Sequence, residues 1–261
     1  MKPQKSTKGT SRFILCAFCA FLWLVSVVSF AQDLTPAQLE IQRQQQRLSS
    51  SDAEERRDAI MRLGSMRLTA ASRAVLPSLQ DVAPLVRATA AKAILSMDPE
   101  ESAGYLLPLL NDKDEFVRRE TAYALGLTRS RTATSALSER LLTDKENGVR
   151  AAAAIALGQI ADEAAVVPLV KTLEQMRKPN VFVLRAAAAA LGAIKSRAGT
   201  AALISVLSNE KVDSDVRREA ARSLGLIGDP SATPALKAAS TSADPYLSQI
   251  AYEALKEISR R

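Results

Sequence analysis

The chain has no histidine, and its two cysteines, Cys16 and Cys19, both sit in one apolar run near the N-terminus. The single tryptophan, Trp23, and four of the six phenylalanines also precede residue 32. Residues 32–261 are thus free of His and Cys. That excludes zinc sites built from the usual ligands and nucleophilic pairs of the Ser–His or Cys–His kind. So few rings remain that nucleobases would find little to stack on. Phosphate-cradling glycine loops are absent. No segment alternates apolar and polar residues long enough to make a half-buried strand. A Cys-free body suits an oxidising compartment, and is equally what an Ala-rich repeat yields by chance. The formal charge is +7, but Lys2, Lys5, Lys8 and Arg12 supply four of those charges, and the remainder carries +3. That is an ordinary surface and argues no affinity for nucleic acid.

Two short strings invite a chemical reading and do not support it. Ser208-Asn209-Glu210-Lys211 fits a Ser-x-x-Lys pattern of acyl-transfer enzymes, without the companion motifs. Asn111 to Glu115 is acidic, but Asp114 and Glu115 are what a helix N-terminus favours.

Residues 1–12 are basic, Phe13 to Phe30 is uncharged, and Ser29-Phe30-Ala31 places small residues ahead of a cut at Gln32. This is the order of a secretory signal. The same run is also about long enough to cross a bilayer as an uncleaved anchor. In either case the basic end stays in the cytoplasm and the body is exported. The expected location is the periplasm if the source is bacterial, or the inner membrane with the body outside the cytoplasm. The expected divisions are 1–31 as signal peptide or anchor, 32–50 as a Gln-rich N-terminal capping helix, and 51–261 as a repeat array.

Repetition is what the chain does have. Ala-rich runs end in a Leu-Gly pair at Gly64, Gly126, Gly158, Gly192 and Gly225, with Leu95 and Lys256 in the matching places of two further copies. The steps between copies are 31 to 34 residues. Val86-Arg87, Val117-Arg118, Val149-Arg150, Val183-Leu184 and Val216-Arg217 open these runs. Such a period marks stacked helical hairpins. Within one run, Val149, Ala153, Ala156, Leu157 and Ile160 fall on a single helical face. The spacing predicts second helices near 52–66, 84–97, 115–127, 147–160, 181–194, 214–227 and 245–259. Shorter apolar stretches between them read as first helices, which Pro77, Pro108, Pro168 and Pro234 are expected to bend. Thr35-Pro36-Ala37-Gln38 and Ser51-Asp52-Ala53-Glu54 read as capping boxes. The prediction is an all-α chain, a right-handed α-solenoid of about seven helical hairpins.

The opening Val-Arg, the closing Ala-Leu-Gly and an Asp six residues before the Arg carry a resemblance. Over residues 35–261 the chain resembles the HEAT repeat, in the short form of phycobilisome-lyase-like HEAT proteins. The resemblance implies an ARM/HEAT-type superhelix. It also implies a buried ladder from Asp81/Arg87, Asp112/Arg118 and Asp144/Arg150, tying successive turns by charge-assisted hydrogen bonds. Later copies depart, with Lys178 ahead of Leu184 and Lys211 ahead of Arg217; Asp213 is a nearby substitute. Some HEAT enzymes hold two irons through His-Glu motifs, which a chain without His cannot supply. No cofactor, no metal and no catalysis are therefore expected. The alternative is an enzyme or enzyme-maturation factor of phycobilisome-lyase type.

In a HEAT stack the second helices line the concave side. Positions two, three and six after the opening Val would then face away from the first-helix layer. On that count Tyr123 is the expected aromatic anchor of a protein or peptide groove, with Arg119, Ile155, Arg185 and Arg222 around it. The Ala-rich middle is either open or buried by curvature. The expected role is an exported scaffold or adaptor for a protein or peptide, with no nucleic acid. Membrane contact is expected only if residues 13–31 are retained, which would make the chain a membrane-anchored organiser of a periplasmic complex.

Overall fold

The structure is a computed structural model that describes residues 34–174 and 180–260. These contain 14 α-helices and short 3-10 segments, and among the described residues there is no strand. The chain divides into two compact units, Met1–Glu40 and Ile41–Arg261. In the first, the described part is the start of α1 (Pro36–Arg47). There the Thr35 amide donates to Gln38 Oε1 at 2.8 Å and the Gln38 amide donates to Thr35 Oγ1 at 3.3 Å, a reciprocal capping box. The expected leader at 1–31 lies outside the described residues. No helix among the described residues is long and apolar enough to cross a membrane.

The second unit is a stack of hairpins. Its even-numbered helices are α2 (Ala53–Ser65), α4 (Pro84–Ala93), α6 (Glu115–Thr128), α8 (Asn147–Ile160), α10 (Val181–Ile194), α12 (Ser214–Ile227) and α14 (Pro245–Ser259). The odd ones are α3 (Thr69–Val75), α5 (Pro99–Leu106), α7 (Thr134–Thr143), α9 (Val166–Glu174), α11 (Thr200–Ser208) and α13 (Thr233–Ala239). Each even helix packs on the next even helix and carries the preceding odd helix on its back. The result is two helical layers with one continuous apolar core between them. The end of α1 also belongs to this unit, and there Ile41 and Gln44 are buried. Arg47 pairs with Asp58 of α2 at 2.7 Å.

The abundance of alanine follows from this packing. In α8, Ala152, Ala153, Ala154 and Ala156 are all fully buried, because the helix has neighbours on three sides. The Leu-Gly pairs mark where successive even helices cross. A Cβ built on Gly126 would lie 2.8 Å from Ala156 Cα, and one on Gly158 would lie 2.9 Å from Ala190 Cα. The glycines lie inside the helices, near their ends, as the predicted ranges have them. The residues that close the helices in left-handed conformation are Arg129, Ala161, Lys195 and Gly228. The copy with Leu95 in place of glycine departs as packing requires. A leucine has no room at such a crossing, and α4 ends at Ala93, short of the expected 97.

Two further expectations are corrected. None of the four prolines bends a helix midway. Pro77 and Pro108 sit where α3 and α5 hand over to 3-10 segments, Leu76–Gln80 and Leu107–Asn111. Pro168 and Pro234 lie in the first turns of α9 and α13, where no amide partner is lost. The cap of α2 is Asp52 rather than Ser51, its carboxylate accepting from the Glu54 amide at 3.0 Å.

Candidate functional site

Arginine and aspartate side chains of neighbouring copies pair across the stack. Arg87 donates to both carboxylate oxygens of Asp112, at 2.7 and 2.8 Å, and its Nη1 donates to the backbone carbonyl of Asp81 at 2.7 Å. Arg118 does the same with Asp144, at 2.8 and 3.0 Å, and with the carbonyl of Asp112 at 2.9 Å. Each arginine thus meets the backbone of the aspartate six residues before it and the carboxylate of the next copy. Arg56 makes an equivalent rung to Asp81, with both bonds at 2.7 Å. The sequence pattern missed it because Arg56 does not follow a valine. The run of rungs breaks at Arg150, whose Nε donates to the Leu141 carbonyl at 2.9 Å, and a pair of like spacing, Arg218 with Asp244 at 2.9 Å, follows further along. Arg217 likewise turns to the Leu207 carbonyl. Asp213 serves instead as the cap of α12, accepting from the Asp215 amide. Lys178 lies outside the described residues.

The rungs hold their carboxylates ionised. Hydrogen bonding from Arg56 lowers the Asp81 pKa against the opposing effect of burial. At Asp112 and Asp144 burial is the largest single influence and pushes upward. The guanidinium of Arg87 or Arg118, with the Asp114 or Glu146 amide and nearby cations, outweighs it and the pKa is lowered. These groups are engaged with one another by charge-assisted hydrogen bonds. Among the described residues no group of three or more acidic side chains is arranged to hold a metal ion.

The exposed face of the even helices is different. Arg119, Tyr123, Ile155 and Arg185 converge on one open cavity of about 550 Å³, with Ala151, Ala186 and Ala189 as its floor. Arg222 is exposed on α12 but does not line this cavity; Glu219, one helical turn earlier, does. The Ala-rich middle is divided between the two readings. Ala152 and Ala186 are buried, whereas Ala151 and Ala189 are half-buried and Ile155 is 38 % exposed. A second cavity of about 400 Å³ opens on α2, α4 and α6. Ile60, Ala88 and Ala93 form its bottom, and Met61, Leu85 and Phe116 its rim. Between the two, the Arg119 guanidinium stacks over the Phe116 ring, 5.1 Å from its centre.

Among the lining residues that the sequence count did not reach are three large apolar ones, Leu85, Phe116 and Phe182. Each stands immediately before the opening Val of its helix. That position is one turn ahead of positions two and three and so belongs to the same face. Leu85, Phe116, Phe182 and Tyr246 show the recurrence, which was the available signal.

Among curated proteins none matches the chain in sequence. Solved structures do. YibA of Escherichia coli is 18 % identical, with a TM-score of 0.62 over 99 % of this chain and 100 % of that one. An engineered protein is 23 % identical, with a TM-score of 0.57 over 84 % of this chain and 68 % of that one. The complex of CpcE and CpcF of phycocyanin lyase from a Nostoc species is 23 % identical, with a TM-score of 0.51 over 89 % of this chain and 94 % of that one. At such identities the likeness shows a shared helical-repeat fold. Residues 42–126, 105–175 and 170–256 match the family described as HEAT repeats. With that match over most of its length and a stack of helical hairpins behind it, this chain belongs to the HEAT-repeat family.

Proposed function

We propose that the chain is an exported scaffold or adaptor that holds a partner polypeptide along the exposed face of its even helices. One observation carries this reading. Four residues chosen for their helical positions, Arg119, Tyr123, Ile155 and Arg185, surround a single cavity whose floor is apolar and whose rim is charged. An apolar centre with a polar rim is the anatomy of a protein-binding patch. The absence of His and Cys from residues 32–261 favours binding over catalysis. Export rests on the basic, apolar and small-residue order of residues 1–31.

A photo-crosslinking residue placed at Ile155 in cells tests the binding role. The expected result is a discrete crosslinked partner that is not captured from Val167, which is on the odd-helix layer and more exposed, at 75 % against 38 %. Equal capture from both positions would remove the groove from consideration. Sequencing the N-terminus of the mature protein tests export, with Gln32 expected as the first residue. Retention of residues 13–31 would instead make the chain a membrane-anchored organiser.

A further inference from the structure

The groove is two basins of unlike chemistry, and their difference specifies what fits. The basin on α2, α4 and α6 is apolar, and its charges are already satisfied. Arg57 pairs with Glu54, and Lys92 pairs with Glu120. The basin on α6, α8 and α10 is lined by two arginines against a single acid. Arg185 is exposed and makes no ion pair or hydrogen bond among the described residues. Arg119 stacks on the Phe116 ring, and the one carboxylate it reaches is its neighbour Glu120, at 3.5 Å, which Lys92 holds more closely. The one acid in this lining is Glu219, on the α12 side. Two guanidiniums flanking an apolar floor make a seat for a carboxylate next to an apolar stem.

From these observations we propose that the groove takes an extended polypeptide segment bearing one large apolar side chain and a carboxylate about five or six residues away. This rests on the binding role above and deepens it. The spacing follows from the architecture. The basins centre on α4 and α8, two copies apart, which at 8–10 Å between packed helices is about 16–20 Å. An extended chain covers that distance in about five or six residues at ~3.3 Å each. The apolar side chain enters between Met61, Leu85 and Phe116, and the carboxylate lies between Arg119 and Arg185. A nucleic acid strand fits less well, because its successive phosphates would meet Glu120 and Glu219 along the same path.

Selection of random phage-displayed peptides of about 14 residues, long enough to reach both basins, tests this on the purified protein. Enriched peptides should share an apolar residue and an acidic residue at that spacing. Their synthetic versions should lose at least about tenfold in affinity with Arg185→Glu or Arg119→Glu, and also with Met61→Asp, while circular dichroism is unchanged. A Lys in place of the acidic residue should restore binding to Arg185→Glu. Enriched peptides that are basic or show no fixed spacing, yet still fail to bind Ile155→Asp, would overturn this inference and leave the groove itself intact. Enriched peptides indifferent to Ile155→Asp would overturn both. Failure to enrich any peptide, or equal binding of a fluorescent oligothymidylate, would also overturn the inference.

Discussion

At the scale of single residues, the rung from Arg118 to Asp144 shows what the charges do. Their side chains are 7 % and 2 % exposed. Removing one member strands the other in the core, where an unpaired charge is costly. Asp144→Ala should therefore lower the unfolding free energy by about 3–5 kcal/mol. Arg150→Ala loses only a bond to a carbonyl and should cost about 1 kcal/mol. Urea unfolding of the two variants separates them. The pH dependence has a definite sign. The folded-state pKa of Asp144 is below the ordinary 3.8, so the unfolded chain binds a proton more readily. Its stabilisation is complete above pH 3.8 and is lost as pH falls through the depressed value. Asp144→Asn should accordingly flatten the fall of stability with acid below that pH, measured as urea midpoints at a series of pH values. The recurring Asp and Arg were visible in the sequence. Which copy each arginine meets was not, because carboxylate partners 25 or 26 residues apart are chosen by the way one hairpin sits on the next.

At the scale of the helix, the same sequence signal proved to have another physical basis. The Leu-Gly pairs were legible as a recurring mark near the end of each helix, and the structure shows that they stand at crossings too close for a side chain. Gly158→Leu would force apart α8 and α10, where even a Cβ would come within 2.9 Å of Ala190 Cα. It should cost about 3 kcal/mol or more. Three of the closing residues, Arg129, Ala161 and Lys195, adopt the left-handed conformation with side chains that resist it. Ala161 has φ 56°, a geometry that glycine enters without steric penalty. Ala161→Gly should raise stability by about 1 kcal/mol. Gly228→Ala should lower it by a similar amount. Thermal unfolding of the pair checks both signs. An unchanged midpoint in both would show that closing geometry is not what limits these helices.

At the scale of the repeat unit, 41–261, stability is a sum of neighbour contacts. Even helices pack on the even helices before and after them, so a disturbance should stay near its origin. Amide exchange in Gly158→Leu should lose protection in α8 and α10 while α2 and α4 change little. Uniform loss along the unit would show one cooperative core instead. The groove belongs to this scale as well. Tyr123→Ala with Ile155→Asp should abolish capture of a crosslinked partner while helical content is kept, because both side chains sit partly in solvent. Four of the five residues expected there are brought together. Arg222 is not, because the lining passes through Glu219 at that helix. The missed Leu85, Phe116 and Phe182 sit one turn earlier on the same face, a place the count from the opening Val did not extend to.

Periodicity, capping residues and small side chains act over a few turns of one helix, so the order, type and approximate limits of the helices could be read from the chain alone. The lack of His and Cys was equally plain, since composition needs no coordinates. Partners are a different matter. The identity of each rung, the crossing role of the glycines and the division of the groove into an apolar and a cationic basin depend on the stagger and separation of neighbouring hairpins. Those are set by close packing among residues some thirty positions apart, and only the folded stack brings them face to face.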